Sequence, residues 1–224
     1  EEPWGMGLNT GIQLVSGVGT ASNVQYTTPT VFGTTLTVAA AEMGQTDIND
    51  KDSGGSKADH RGKGYDATIN INPSFGTEVL SGLNVFAGFH QTDNYAPADN
   101  DIHEGVAGIT FDIGPISLGY QKQGQLTGKK TGTADVAYYK NSHWGVALNI
   151  NDDLSISYGH AESYQGQVNS TVDMISKKID VNSAQIAYTI GGVSLRLADI
   201  RGDNLSYTAA NDFDSTVVSV AMAF

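Results

Sequence analysis

The densest set of oxygen-bearing side chains in this chain is Asp47-Ile48-Asn49-Asp50-Lys51-Asp52-Ser53-Gly54-Gly55. Asp47, Asn49, Asp50 and Asp52, followed by glycine, have the ligand types of a calcium loop. The twelfth position counted from Asp47 is Ala58, where such a loop needs an acid, and Lys51 sets a cation among the ligands. The segment reads as a solvated acidic loop, and no metal is expected. Asp59-His60 could activate a water molecule, but its remaining acidic partners are not apparent. His60, His90, His103, His143 and His160 are scattered, with no spacing that forms a metal helix or a catalytic pair. No Gly-x-Ser-x-Gly elbow and no phosphate-binding glycine motif occurs, so no cofactor is expected. A different chemistry needs only charges facing each other across water. Arg196, Asp66 and Asp112 stand at polar positions of alternating segments, where opposed signs would set up a transverse field across a wet lumen.

The elements that must position these charges are strands. Thr216-Val217-Val218-Ser219-Val220-Ala221-Met222-Ala223-Phe224 alternates large and small residues and stops on an aromatic. Upstream, Val193-Ser194-Leu195-Arg196-Leu197-Ala198 is joined to Gln185-Ile186-Ala187-Tyr188-Thr189-Ile190 by Gly191-Gly192 alone, a tight hairpin signal. Similar pairs recur back to Asn23-Val24-Gln25-Tyr26-Thr27, about eleven strands in all, which short turns and long polar loops connect alternately. The long loops are expected at 45–63, 93–103, 124–140, 164–177 and 203–212. A sandwich gives no reason for one end to carry all the long loops, whereas a transmembrane barrel does. The expected fold is therefore all-β, a transmembrane antiparallel β-barrel.

Alternation sorts the side chains into two faces. Tyr26, Trp144, Tyr158, Tyr188 and Phe224 fall with Val, Ile and Leu on a face suited to lipid, as an aromatic girdle. Asp66, Asn70, Asn84, Asp112, Gln121, Asn149, Gln185 and Arg196 fall on the other and are expected to line a pore. Phe86 and Val106 interrupt that polar face, through a bulge or a locally apolar lumen patch. Lys122, Lys140 and Arg201 are assigned to the rim, near lipid headgroups.

Composition agrees. The 224 residues carry no cysteine, 27 glycines and a formal net charge of −12. A nucleic-acid partner is excluded by the lack of clustered Lys and Arg, and disulfide frameworks and Cys-ligated metals by the lack of Cys. No run of about eighteen apolar residues exists to cross a membrane as a helix. The start Glu1-Glu2-Pro3-Trp4 lacks an initiator Met, as expected for a mature protein or a fragment.

The strand at Val24–Thr28 with its Pro29-x-Val31-x-Gly33 turn, the start Glu104-Gly105-Val106-Ala107-Gly108, and the terminal Phe resemble the bacterial general porins of alphaproteobacterial type. The resemblance implies a sixteen-stranded homotrimer of the bacterial cell outer membrane, of which this chain supplies strands six to sixteen. Residues 1–22 would be the remnant of the inward-folded constriction loop, although Gly11–Ser16 could be a further strand, and 23–224 the partial barrel. The implied function is a passive diffusion pore for ions and small hydrophilic solutes, not an enzyme. Its partners would be the lipid bilayer and, through the C-terminal strand, the barrel-assembly machinery. The net acidity adds an expected weak cation preference. The alternative is an outer-membrane barrel acting through its external loops, as an omptin-like enzyme resting on Asp59-His60 or as an adhesin. With the leading strands missing, two sheet edges are expected to stay unpaired.

Overall fold

The structure, a computed structural model, describes residues 10–19, 21–42, 61–73, 78–94, 99–130, 135–168 and 177–222. The acidic segment Asp47, Asn49, Asp50 and Asp52, the pair Asp59-His60, and Phe224 lie outside them.

Eleven strands form one sheet in sequence order: β1 Asn23–Thr27, β2 Thr34–Glu42, β3 Arg61–Ile71, β4 Leu83–Asn94, β5 Ile102–Ile113, β6 Ile116–Leu126, β7 Val136–Asn149, β8 Leu154–Gln167, β9 Lys177–Ile190, β10 Val193–Asp203 and β11 Phe213–Met222. Every adjacent pair is antiparallel, and among the described residues β1 and β11 do not pair with each other. The architecture is a partial transmembrane β-barrel, open at both edges as the strand count anticipates. Residues 11–16 do not form a strand.

Each strand's two-residue period decides its faces. At the β9–β10 turn, Gly191 and Gly192 both have positive φ, at 56° and 82°, so the chain reverses in a type I′ turn whose twist matches the flanking strands. Outward from there Leu195 stands between Tyr188 and Val220, and Leu197 between Ile186 and Val218. These are large apolar side chains left exposed in the isolated chain, Leu195 at 46% and Val218 at 61%. A water-soluble fold would not expose so continuous an apolar wall; a bilayer covers it.

Several sequence expectations are corrected. The strands run further toward the long-loop end than their apolar alternation suggests: β9 begins at Lys177 and β7 at Val136, inside stretches read as loops. The outward side chains there, Lys140, Lys178 and Asp180, are polar, and the strands persist because each has a paired neighbour on both sides. The β3–β4 connection, which the sequence marks as a longer turn than the others, holds a one-turn helix, α1 Glu78–Ser81. Phe86 and Val106 sit in unbroken register, facing Asn70 and Gly108, and Gly88 and Gln123, so no bulge occurs at them. The register shifts lie at Arg61/Gly64 and Val136/Tyr138. Gly108 leaves room for the Phe86 ring to lie across the strand, a locally apolar patch on the polar face.

The largest correction concerns the β10–β11 connection. It does not extend outward as a polar loop. Leu205 and Tyr207 turn in and bury against Ile179, Val181, Ala198 and Ile200 on the polar-face parity of β9 and β10, with Ile12 packed beside them. That face is therefore polar over β3–β7 and apolar near the long-loop end of β8–β10.

Candidate functional site

The register lays out the inner face in rows. One row runs Ala39, Asp66, His90, Glu104, Gln125, Tyr139 and Gln165 from β2 to β8. The next runs Thr68, Gly88, Val106, Gln123, Asn141 and Ser163. Residues 10–19 lie over these rows as a strap running across the strands.

The strap is held through its own backbone. Val18 N donates to Asp66 Oδ2 at 2.8 Å, Gly17 N and Ser16 N donate to Glu104 Oε2 at 2.9 and 3.1 Å, and Val15 N donates to Gln123 Oε1 at 3.2 Å. Glu104 is 5% exposed, and no cation lies within ion-pair reach of it among the described residues. A carboxylate buried in that way needs donors. The two strap amides and Gln125 Nε2, at 2.7 Å from Oε1, supply them. Asp66 also bonds His90 Nδ1, whose other nitrogen meets Thr92 Oγ1 at 2.6 Å. With the proton on Nδ1, His90 donates to the carboxylate and accepts from the hydroxyl. The arrangement has the order of a nucleophile relay, yet Thr92 is 3% exposed and the hydroxyl offers no open side to a substrate. It orients Asp66 toward the strap.

Gly17 has φ +61°, and a Cβ on it would come within 2.7 Å of Asp66 Oδ2. Only glycine lets the backbone approach that carboxylate. Beyond it, Val18 buries against Ala39 and Ala41, and a cavity of about 210 Å³ remains under the strap beside Gly88 and Val106.

The other end of the strap closes a ring of hydrogen bonds. Gln13 N donates to Tyr207 OH at 3.5 Å, Tyr207 OH meets Ser163 Oγ at 2.5 Å, Ser163 donates to Asn141 Oδ1, and Asn141 Nδ2 returns to Gln13 O at 2.6 Å. Ser206 N donates to Thr10 O at 2.9 Å, joining the strap to the inward β10–β11 connection. Burial pushes the Tyr207 phenol above the usual tyrosine range, against the lowering effect of its bonds with Ser163 and Gln13. The neutral phenol is thus worth more in the docked state than in the released one. Its contribution is complete below about pH 10, the ordinary tyrosine value, and is lost as pH rises through the elevated docked value. Alkaline titration of the phenolate absorbance is expected to show Tyr207 ionising later than exposed tyrosines, and Tyr207→Phe should abolish that late phase.

The expected pore-lining residues all have inner-face parity. Asn70 shares a row with Phe86, Gly108 and Gln121; Asn84 faces Thr110; Asp112 faces Ser117; Asn149 faces Ser155; Gln185 faces Ala198; and Arg196 faces Ala187 and Ser219. Asp66 is the exception in role, since its carboxylate is engaged by the strap and His90 instead of standing in open water. Tyr26, Trp144, Tyr158 and Tyr188 lie on the opposite face, at exposures from 38% to 62%. The sequence reading missed Glu104, His90, Gln123 and Asn141 as strap anchors. Their only signal was polar parity, which dozens of residues share.

The structure also gathers a histidine that spacing left isolated. His160, Glu162 and Asp180 present ligand atoms within 4.8 Å of one another on the outer face. Lys178 Nζ already occupies the cation position, 2.5 Å from Glu162 and 2.8 Å from Asp180.

No protein-family model matches the chain, and no curated protein matches it by sequence. Solved structures do. The anion-selective porin of Comamonas acidovorans aligns with 15% identity and TM-score 0.62 over 90% of this chain and 59% of its own. Salmonella typhi OmpF, solved with daunomycin, aligns with 12% identity and TM-score 0.64 over 92% of this chain and 65% of its own. OmpT of Vibrio cholerae, an outer-membrane protein, aligns with 12% identity and TM-score 0.55 over 87% and 61%. The chain thus spans about three fifths of the length of the barrels it matches. At these identities the likeness is one of fold, that of bacterial outer-membrane porins.

Proposed function

We propose that this chain forms the greater part of a passive outer-membrane diffusion pore for ions and small hydrophilic solutes, without covalent chemistry. One observation carries the reading: a backbone strap fastened across the polar inner face by that wall's own side chains. Such a strap narrows a lumen without filling it, and its attachment leaves Asn70, Asn84, Asp112, Gln121, Asn149, Gln185 and Arg196 as wall toward the short-turn end. Residues 1–22 correspond in this reading to the inward constriction segment and 23–224 to the barrel wall. The porin-like fold supports an outer-membrane location, and a homotrimer and delivery by the barrel-assembly machinery are proposed with it.

Asp66 and Glu104 are engaged by the strap, and Asp112 and Arg196 stand elsewhere on the wall with opposite signs. The weak cation preference proposed here comes from the net charge of −12 acting near the pore mouths, so it fades as salt screens it. Planar-bilayer recordings are expected to give large, steady conductance, with a reversal potential across a salt gradient that indicates cations. A closed barrel with hydrolytic activity would overturn the pore, and an anion-directed potential would overturn the preference alone.

A further inference from the structure

We propose that the inner wall around Phe86 binds a neutral saccharide, with one sugar ring against the phenyl ring and its hydroxyls on Asn70, Asn84 and Gln121. Phe86 faces Asn70 on β3 and Gly108 on β5, and Gly108 faces Gln121 on β6. Asn84 precedes Phe86 by two residues on the same face of β4 and stands opposite Thr110. A Cβ on Gly108 would strike the ring, so glycine there lets the phenyl lie across β5. The ring is half-buried and belongs to neither of the apolar clusters that Leu205 and Val18 build. Its open face is apolar surface on an otherwise polar wall, and covering it is favourable.

A pyranose has C–H faces that pack on an aromatic ring and hydroxyls that both donate and accept hydrogen bonds. The amides of Asn70, Asn84 and Gln121 also donate and accept, and among the described residues none of the three makes a side-chain hydrogen bond within the protein. No ionisable side chain stands in the row of Phe86 or in the two flanking rows from β3 to β6. A charged solute therefore finds no counter-charge there, whereas a neutral polyol finds partners on every side. The flanking row toward the long-loop end, Thr68, Gly88 and Val106, also lines the cavity of about 210 Å³ under the strap. The phenyl ring thus stands one row from the narrowing, where the strap confines a passing solute against this wall.

The site rests on the pore reading, which makes this face a wet lumen, so binding and conduction are measured apart. The chain is folded in detergent, and its Asn and Gln side-chain amide resonances are followed by NMR during titration. The probes are maltotriose, polyethylene glycol of equal mass and anionic trigalacturonate. Maltotriose is expected to give saturable shifts at Asn70, Asn84 and Gln121. Phe86→Leu keeps apolar bulk without the ring and should weaken binding about tenfold, the upper end for an aromatic contact, whereas Phe86→Tyr keeps it. N70A/N84A, with the ring in place, should also weaken it about tenfold through two lost hydrogen bonds. An equal response to polyethylene glycol, tighter binding of trigalacturonate, or undiminished binding by Phe86→Leu or N70A/N84A each overturns the site. Planar-bilayer recordings of the same chain separate the two readings. Conductance without maltotriose binding overturns the site alone, and binding without conductance overturns the pore alone.

Discussion

Glu104→Ala releases the strap, and the amides of Ser16 and Gly17 then exchange with solvent at least a hundredfold faster. Both amides end on one buried carboxylate oxygen. A net hydrogen bond to a charged group is worth about 1.5–3 kcal/mol, so losing the pair costs about 3 kcal/mol or more of local docking free energy. That corresponds to more than two decades in an opening equilibrium governed by local release. Glu104→Gln is expected to fall between, because its amide keeps one acceptor but turns a donor toward the strap. Hydrogen exchange resolved at Ser16, Gly17 and Val18 checks this directly. Unchanged protection in the alanine variant would mean that the carboxylate does not hold the strap. If the strap narrows a lumen, the same variant should also raise single-channel conductance and its fluctuation.

The second large effect separates the two faces within one strand. Ile156 and Ser157 are adjacent in β8. Ile156 faces Leu148 and Ile186 on the apolar side, and Ser157 faces Ala147 and Gln185 on the polar side. Ile156→Arg is expected to cost about 2–4 kcal/mol of folding free energy in vesicles, the range for a basic residue near the bilayer midplane. Ser157→Arg should cost less than about 1 kcal/mol, because its guanidinium stays in water. Urea titrations of folding into lipid vesicles give both numbers. Equal costs for the two neighbours would refute the assignment of faces and with it the barrel orientation.

Much of the fold is legible in the residues because its information is local. The side chains of Val193-Ser194-Leu195-Arg196-Leu197-Ala198 alternate faces whatever surrounds them, and Gly191-Gly192 signals a tight reversal, which the structure makes with both φ positive. The strand number, the antiparallel order and the open edges follow from such segments one at a time. Legibility fails where apolar alternation stops before the strand does. The upper parts of β7 and β9 carry Lys140, Asn141, Lys178 and Asp180, and they remain strands because their backbones have partners on both sides. The inward turn of Leu205 and Tyr207 was hidden for a related reason. Two apolar residues in a polar stretch announce burial, but not against what.

The sequence by itself determined the wall: which side chains share each face, and how each strand reaches the next. A two-residue period needs no knowledge of distant parts of the chain. Only the tertiary structure decided what lies against that wall. Val18 reaches Asp66 across 48 residues, Ser16 reaches Glu104 across 88, and Gln13 reaches Tyr207 across 194. Such pairings exist only once the register has stacked Asp66, His90 and Glu104 into one row. Asp66 shows the difference most plainly. Its parity marked it as a charge for open water, and the fold turned it into an acceptor for a buried amide, because the strap passing over it brought a donor that water no longer supplied.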